Sequence, residues 1–393
     1  MKKIVYADNA ATTALSKQAL KAMMPYLTKE YGNPSTLYSL GRNARKALEQ
    51  ARVNVARAIG SQQEEIYFTS GGTEANNWAI KSAAELKKDQ GKHIISSTVE
   101  HHAVLHTLQN LEKQGYHVTY LGVNEFGQIS IDDLQRAIRK DTILITIMTA
   151  NNEIGTILPV AKIGAVARKN KILFHTDAVQ AVGHIPIHVE LMNIDMLSIA
   201  GHKFRGPKGT GALYVKKGIN LPSYMLGGGQ ESKLRSGTEN VAGIIGLAAA
   251  LKEATVNMEE NMKKVSSMRD RIIDKLLKIP CTKLTGDPIN RLPGIASFIF
   301  ECVEGESMVM FLDQNGICAS SGSACSSGSQ GTSHVLSAIG LPPQLAHSSL
   351  RLSLSEDNSD EDIDYILEKL PQVISRLREM SPLWNQKLSG VKY

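Results

Sequence analysis

Cysteine is scarce in this chain. There are four in 393 residues, Cys281, Cys302, Cys318 and Cys325, unevenly spaced. That is too few for the disulfide framework of a secreted protein, so a reducing compartment, the cytoplasm, is expected, and any special cysteine is there for chemistry. Long apolar runs are missing too. The longest mostly apolar stretch, 241–251, is about half of what a membrane span requires. The opening MKKIVYADNA has only a short apolar run before Asp8 and does not read as a signal peptide. No Lys/Arg-rich block stands out: 44 basic and 38 acidic residues leave a net charge of +6, too modest to point to nucleic acid. GxGxxG, Walker A and HExxH sequences are all absent, which weighs against nicotinamide, nucleoside triphosphate and zinc-protease sites. What is present, 42% hydrophobic and 21% charged residues, is the composition of a globular protein able to fill its own core.

Short β-branched runs alternate with helical patterns. Strands are expected at 65–70, 93–97, 117–123, 143–150, 172–178, 195–200 and 211–215, with helices such as 74–88 and 131–139 between the first five. Near-apolar strands separated by helices imply right-handed crossovers and a mostly parallel sheet covered on both faces. The last two strands leave no room for a helix and suggest an antiparallel edge or hairpin-like return. After Asn240 the pattern changes: a long helical stretch to about Lys278, a strand at 296–301, a helix at 305–315, a Ser/Gly-rich loop at 320–331, a strand at 348–355 and a helix at 360–378. The expected organisation is a large α/β domain over 16–255 and a smaller α+β domain formed by 256–393 with the N-terminal 1–15.

In a doubly wound sheet, ligands bind beyond the carboxyl ends of the strands, so the residues that follow each strand carry the information. After the first comes Ser70-Gly71-Gly72-Thr73-Glu74, a Gly-rich turn into a helix that suits a phosphate or, equally, an ordinary turn capped by Thr73. After the second, His101 stands at a strand-to-helix junction, while His102 and His106 share a helix face with metal-ligand spacing that a structural or surface role also explains. Asn152 follows the fourth strand and Asp177 ends the fifth, a carboxylate in an apolar stretch that must find a partner. Lys203 follows the sixth, before a Gly/Pro-rich turn. An anion cradle, a carboxylate and an amine at neighbouring strand ends are what pyridoxal 5′-phosphate needs: a phosphate site, a partner for the pyridinium nitrogen and a Schiff-base lysine. Cys325 lies in a Ser/Gly-rich loop that leaves it free to travel. The other three cysteines read as small buried hydrophobes.

These residues sit in motifs spread along nearly the whole chain: YADNAATT, YGNPS, FTSGGTEANN, TVEHHAVL, NNEIG, HTDAVQAVG, GHKFRGPKGTGALYV, RSGTENV, VEGES, SSGSACSSGS, HSSLRLSLS and SPLW. In this the chain resembles the NifS/IscS cysteine desulfurases, within the aminotransferase class V group of fold-type I pyridoxal-phosphate enzymes, and its SSGSAC loop is similar to that of the group I members. The resemblance implies an α/β fold with a mostly parallel seven-stranded central sheet and a smaller α+β domain. It implies conversion of L-cysteine to L-alanine, with the sulfur carried as a persulfide on Cys325 toward an IscU/NifU-type scaffold protein or another acceptor, in a cytoplasmic homodimer with no nucleic acid or membrane partner. Carried over by position, Lys203 would be the Schiff-base lysine. His101 would stack on the pyridine ring and move protons, Asp177 would pair with the ring nitrogen, and Gln180 and Asn152 would lie by its oxygen substituent. Gly72, Thr73 and His202 would hold the phosphate, with Thr238 reaching it from the other subunit. Arg351 would bind the substrate carboxylate, helped by Asn33. A serine common in the family just before the His–Lys pair is Ala200 here, so one phosphate contact is either missing or replaced by Ser198. No resident metal is expected, although Cys325 could ligate an iron–sulfur cluster transiently. The competing readings are a selenocysteine lyase or class V aminotransferase on the same scaffold, and a non-catalytic sulfur carrier or scaffold-binding protein.

Overall fold

The computed structural model describes residues 4–322 and 332–388. Its larger part is built on a seven-stranded sheet. In spatial order the strands are Ile66–Thr69, Gly211–Val215, Met196–Ala200, Leu173–Asp177, Thr142–Thr146, His93–Ser97 and His117–Leu121. All run parallel except Gly211–Val215, which is antiparallel to both neighbours. Of the two expectations, the hairpin-like return holds: the strand pairs antiparallel with Met196–Ala200 and lies one place in from the edge. The turn at 201–210 reverses the chain without a crossover helix, and Gly211 lets the new strand pass close beneath the first: a Cβ there would come within 2.5 Å of the Ile199 carbonyl oxygen and 2.7 Å of the Gly71 Cα.

Helices cover both faces, which is why the central strands are buried along their whole length. The helix Gly72–Lys87 turns Ala75, Trp78, Ala79, Ile80, Ala83 and Ala84 inward. The Trp78 ring stacks on Tyr224 at 5.7 Å and meets Tyr67 edge-on. On the other face, the Ala/Gly-rich helix Val241–Val256 packs against Lys17–Thr28 and Ser39–Ile59. That approach is close: a Cβ on Gly246 would meet the Met23 sulfur at 2.5 Å.

The long helix expected beyond Asn240 is two helices, Val241–Val256 and Met258–Leu276, bent by 75° at Asn257. We propose the division between the two parts of the chain at that bend, beside the expected boundary. Among the described residues no single helix is long and apolar enough to cross a membrane. The second part has its own antiparallel sheet, in the order Ser349–Ser353, Ile295–Phe300, Thr282–Leu284. Helices Met258–Leu276, Gly305–Gln314 and Asp360–Glu379 pack with it around Phe298, Phe300, Ile272, Leu312 and Ile366.

The N-terminal segment joins the two parts. Val5–Tyr6 pairs with Ile317–Cys318, and the backbone of Ala7 and Asn9 bonds to Ser353. Thr13 then bonds to the His202 carbonyl and to the amide of Arg205. The Arg205 guanidinium closes the junction on Glu356 and Asp357.

Candidate active site

A cleft of about 460 Å³ opens where the carboxyl ends of the large sheet face the N-terminal segment and the strand Ser349–Ser353. It is lined by Gly72, Thr73, His101, Asn152, Asp177, Gln180, His202, Lys203 and Arg351, nine of the residues singled out from the sequence. Their convergence follows from topology: in a parallel sheet every strand delivers its following residues to the same edge.

Asp177 is the last residue of its strand and is 6% exposed. One carboxylate oxygen accepts from the Asn76 amide at 2.6 Å and the other from the Val179 backbone N–H at 3.0 Å. The carboxylate is thereby fixed in orientation and hydrogen-bonded at both oxygens. Lys203 ends a short 3₁₀ turn after Met196–Ala200. Its Nζ donates to the carbonyls of Ala10 and Ala11 at 2.7 and 2.8 Å, and its own carbonyl bonds to half-buried His184 at 2.9 Å. Gln180 donates to the same Ala10 carbonyl.

The two cleft histidines are neutral at pH 7. His202 is pushed down to about 4 by burial and by the neighbouring charges of Lys203 and Lys208. For His101 the surrounding protein withdraws enough water to lower the pKa; Asp177 opposes this and Lys203 adds to it. His101 caps the helix His102–Glu112, its Nδ1 accepting from the Ala103 N–H at 3.1 Å.

At the first strand end the helix begins at Gly72 with Gly71 as its cap, so Thr73 lies inside the first turn and is not the cap. Gly72 is required by space: a Cβ would meet Val179 Cγ2 at 2.5 Å. Thr73 and the helix N-terminus face the cleft, a placement that suits a dianionic phosphate. The residues fit a pyridoxal phosphate in kind and placement: an amine, an oriented carboxylate, a neutral imidazole and an anion site, together with one buried polar atom, Asn76 Oδ1, that has no partner among the described residues. Arg351, 5% exposed, donates Nη1 to the Asn152 carbonyl at 2.9 Å and Nη2 to Asp8 at 2.8 Å.

Two expected residues lie elsewhere, and a third, Thr238, was expected from the other subunit. Ser198 sits two residues before the end of its strand, about 6.6 Å down the sheet, where its buried hydroxyl meets His175 Nε2 at 3.0 Å. It does not replace the serine missing at Ala200. Asn33 is exposed and caps its own turn through Ser35 and Thr36. Thr238 is exposed on the loop after Gly237, away from this cleft. Cys325 lies outside the described residues. On its two sides, Ser320 lines the cleft, Ser333 donates to buried Glu153, and His334 bonds to the Glu100 carbonyl at 2.9 Å.

Cys281, Cys302 and Cys318 are half-buried, more open than expected, and burial pushes the Cys302 and Cys318 thiols up. His102 lies against His106 and His334, with ring centroids 5.0 and 4.8 Å apart. Among the described residues no cluster of three or more potential ligands could hold a metal.

Sequence reasoning passed over Asp8, Asn76, His184 and Glu100. Asp8 carried a signal, a carboxylate beside an apolar run. Asn76 carried none beyond lying in the motif after the first strand.

The aminotransferase class-V family model matches residues 5–366. A cysteine desulfurase IscS of Methanosarcina thermophila is 54% identical over 381 residues, 97% of this chain and 94% of the relative. One from Clostridium botulinum is 51% identical over 99% of both chains. A solved structure described as a NifS-like protein superposes with a TM-score of 0.90 at 36% identity, over 95% of this chain and all of that one. With this geometry and these relatives, the chain belongs to the aminotransferase class-V family and, within it, to the cysteine desulfurases.

Proposed function

We propose that this chain binds pyridoxal 5′-phosphate in the cleft at the sheet edge and uses Cys325 to carry away the sulfur of L-cysteine. The observation that carries the reading is the convergence of Lys203, Asp177 and the Gly72–Thr73 helix start on one cleft. Lys203 would hold the cofactor through Nζ, Asp177 would face its ring nitrogen, and Gly72, Thr73 and His202 would hold its phosphate, with Thr238 contributed by a second copy. Bound there, the cofactor supplies an electron sink that weakens the bond from Cα to its proton and then the bond from Cβ to sulfur.

The chain's own residues do the rest. Arg351 takes the substrate carboxylate in a charge-assisted fork, helped by Asn152. The Lys203 amine would move the Cα proton. His101, with Nδ1 accepting from the Ala103 N–H, carries the proton of its neutral ring on Nε2 and offers that N–H to the cleft as a hydrogen-bond donor. The Cys325 thiolate attacks the substrate sulfur; a sulfur–sulfur bond forms, the Cβ–sulfur bond breaks, and Cβ and Cα take up protons. One thiol and one L-cysteine give one persulfide and one L-alanine. The persulfide then passes to an acceptor, with an iron–sulfur scaffold protein as the leading candidate.

A homodimer in the cytoplasm is part of the reading. It is supported by exposed apolar side chains concentrated on one stretch: Leu20, Met24, Leu27, Tyr31, Leu37 and Tyr38. The test is direct. The purified holoenzyme given L-cysteine without reductant is expected to form one alanine per active site and to gain one sulfur atom on the peptide that contains Cys325. Alanine formation with no sulfur on that peptide would overturn the assigned carrier. Exchange of amino groups with a keto acid would favour an aminotransferase.

A further inference from the structure

We propose that Asp8 is a specificity-determining residue: a resident carboxylate that occupies half of the Arg351 fork and that an incoming amino-acid carboxylate must displace or share. The proposal rests on the reading of Arg351 as the substrate-carboxylate site.

Three observations carry it. Asp8 and Arg351 both line the cleft, and the Asp8 carboxylate accepts from Arg351 Nη2 at 2.8 Å. Arg351 Nη1 is committed to the Asn152 carbonyl. Arg351 Nε is buried and has no acceptor among the described residues. Nε and Nη2 form one edge of the guanidinium, the edge that a carboxylate grips with two parallel hydrogen bonds. In this structure one donor of that edge holds Asp8 and the other holds nothing. An unpaired N–H of a buried cation is costly, so the edge awaits a second acceptor that Asp8 alone does not provide.

The backbone prepares this relation. Asp8 bridges to Ser353, two residues along the strand from Arg351. The bridge holds the main chain of Asp8 beside the strand that carries Arg351, and the side chain alone decides whether the carboxylate meets the guanidinium. Of the two partners, Asp8 is the more accessible, with a side chain 20% exposed against 5% for Arg351, so Asp8 is the one free to swing aside.

The electrostatic consequence is a filter. With Asp8 in place the cation is already balanced, and a lone anion gains little by entering. A ligand that offers two coplanar oxygens satisfies Nε and takes Nη2. Removing the Asp8 charge while keeping its shape raises the affinity for every α-carboxylate ligand and leaves ligands without a carboxylate unaffected.

The test compares holoenzymes of the wild type, Asp8→Asn and Arg351→Lys. Each is titrated with L-alanine and with L-alaninamide, the dissociation constant being read from the cofactor's visible spectrum and from the heat of binding, neither of which requires turnover. Asp8→Asn is expected to bind L-alanine about tenfold more tightly and L-alaninamide within twofold of wild type. Arg351→Lys is expected to weaken L-alanine at least tenfold and spare the amide. If Arg351→Lys leaves L-alanine unchanged, the reading of Arg351 fails. If Arg351→Lys behaves as expected but Asp8→Asn binds L-alanine no more tightly, or tightens both ligands equally, the Asp8 proposal alone is overturned. Asp8→Ser, smaller and neutral, serves if the asparagine variant does not fold, and is expected to shift L-alanine binding in the same direction.

Discussion

Glu100 offers a stability prediction that can be worked through from the structure. It is fully buried between the strand His93–Ser97 and the helix His102–Glu112. One carboxyl oxygen accepts from the Ser97 hydroxyl at 2.6 Å and the Met148 N–H at 3.0 Å; the other has no partner among the described residues. Burial dominates, the two hydrogen bonds offset part of it, and the nearby Asp177 charge adds to it, so the carboxyl is pushed up from 4.5 to about 8. Glu100 is therefore a neutral acid at pH 7. A native state that holds this proton more tightly than the unfolded chain has its full contribution below pH 4.5 and loses it as pH rises to about 8. That interval corresponds to about 5 kcal/mol at 1.36 kcal/mol per pH unit, an upper bound because ionisation draws water inward. Glu100→Gln keeps the shape and an acceptor but cannot ionise. Unfolding free energies of wild type and variant, from denaturant curves at pH 6, 7, 8 and 9, are expected to diverge. The wild type loses about 2.3 kcal/mol relative to the variant between pH 6 and 8, and the difference then flattens. A pH-independent difference would show that Glu100 is ionised in the native protein and would refute the reasoning.

Further outcomes follow from other contacts. Arg52→Met strands Glu231, whose side chain is 3% exposed and which also accepts from the Phe68 N–H. The expected loss is about 3–5 kcal/mol, read from the unfolding midpoint; a loss below about 1 kcal/mol would mean the pair contributes nothing. Lys203→Ala is expected to remove the visible absorbance of the lysine-bound cofactor and to abolish alanine formation; retained absorbance after dialysis would exclude Lys203 as the attachment point. Cys325→Ser is expected to keep that absorbance and lose sulfide release by at least a hundredfold. Undiminished release would move the assignment toward Cys318.

The residues legible from local pattern share one feature: each ends or follows a strand of the large sheet. Lys203, Asp177, His101 and Thr73 could be found because apolar runs mark where strands stop, and a parallel sheet sends those stops to one edge. Likeness to the family, not a strand end, suggested Ser198. Two residues back along a strand is a different depth in the sheet, and there the hydroxyl bonds to His175. Asn33 was named by likeness to a family, with no local pattern pointing to a cleft, and it does not lie in the one this chain forms; Thr238 was expected from a second copy and is exposed on this one.

What escaped the sequence is mostly pairing across long separations. Asn76 and Asp177 are 101 residues apart, Asp8 and Arg351 343. The position of Gly211–Val215 belongs with these: antiparallel pairing was legible from the short connection, but its insertion inside the sheet depends on what the first strand does about 145 residues earlier.

The sequence by itself determined the elements, the parallel sheet, the edge where chemistry occurs and the residue types delivered to it, because periodicity and strand ends are local properties of a chain. Tertiary structure alone decided which carboxylate meets Arg351, which amide holds Asp177 and which acid stays protonated at Glu100. Those outcomes depend on distance and on the exclusion of water, and neither exists until the chain has closed on itself.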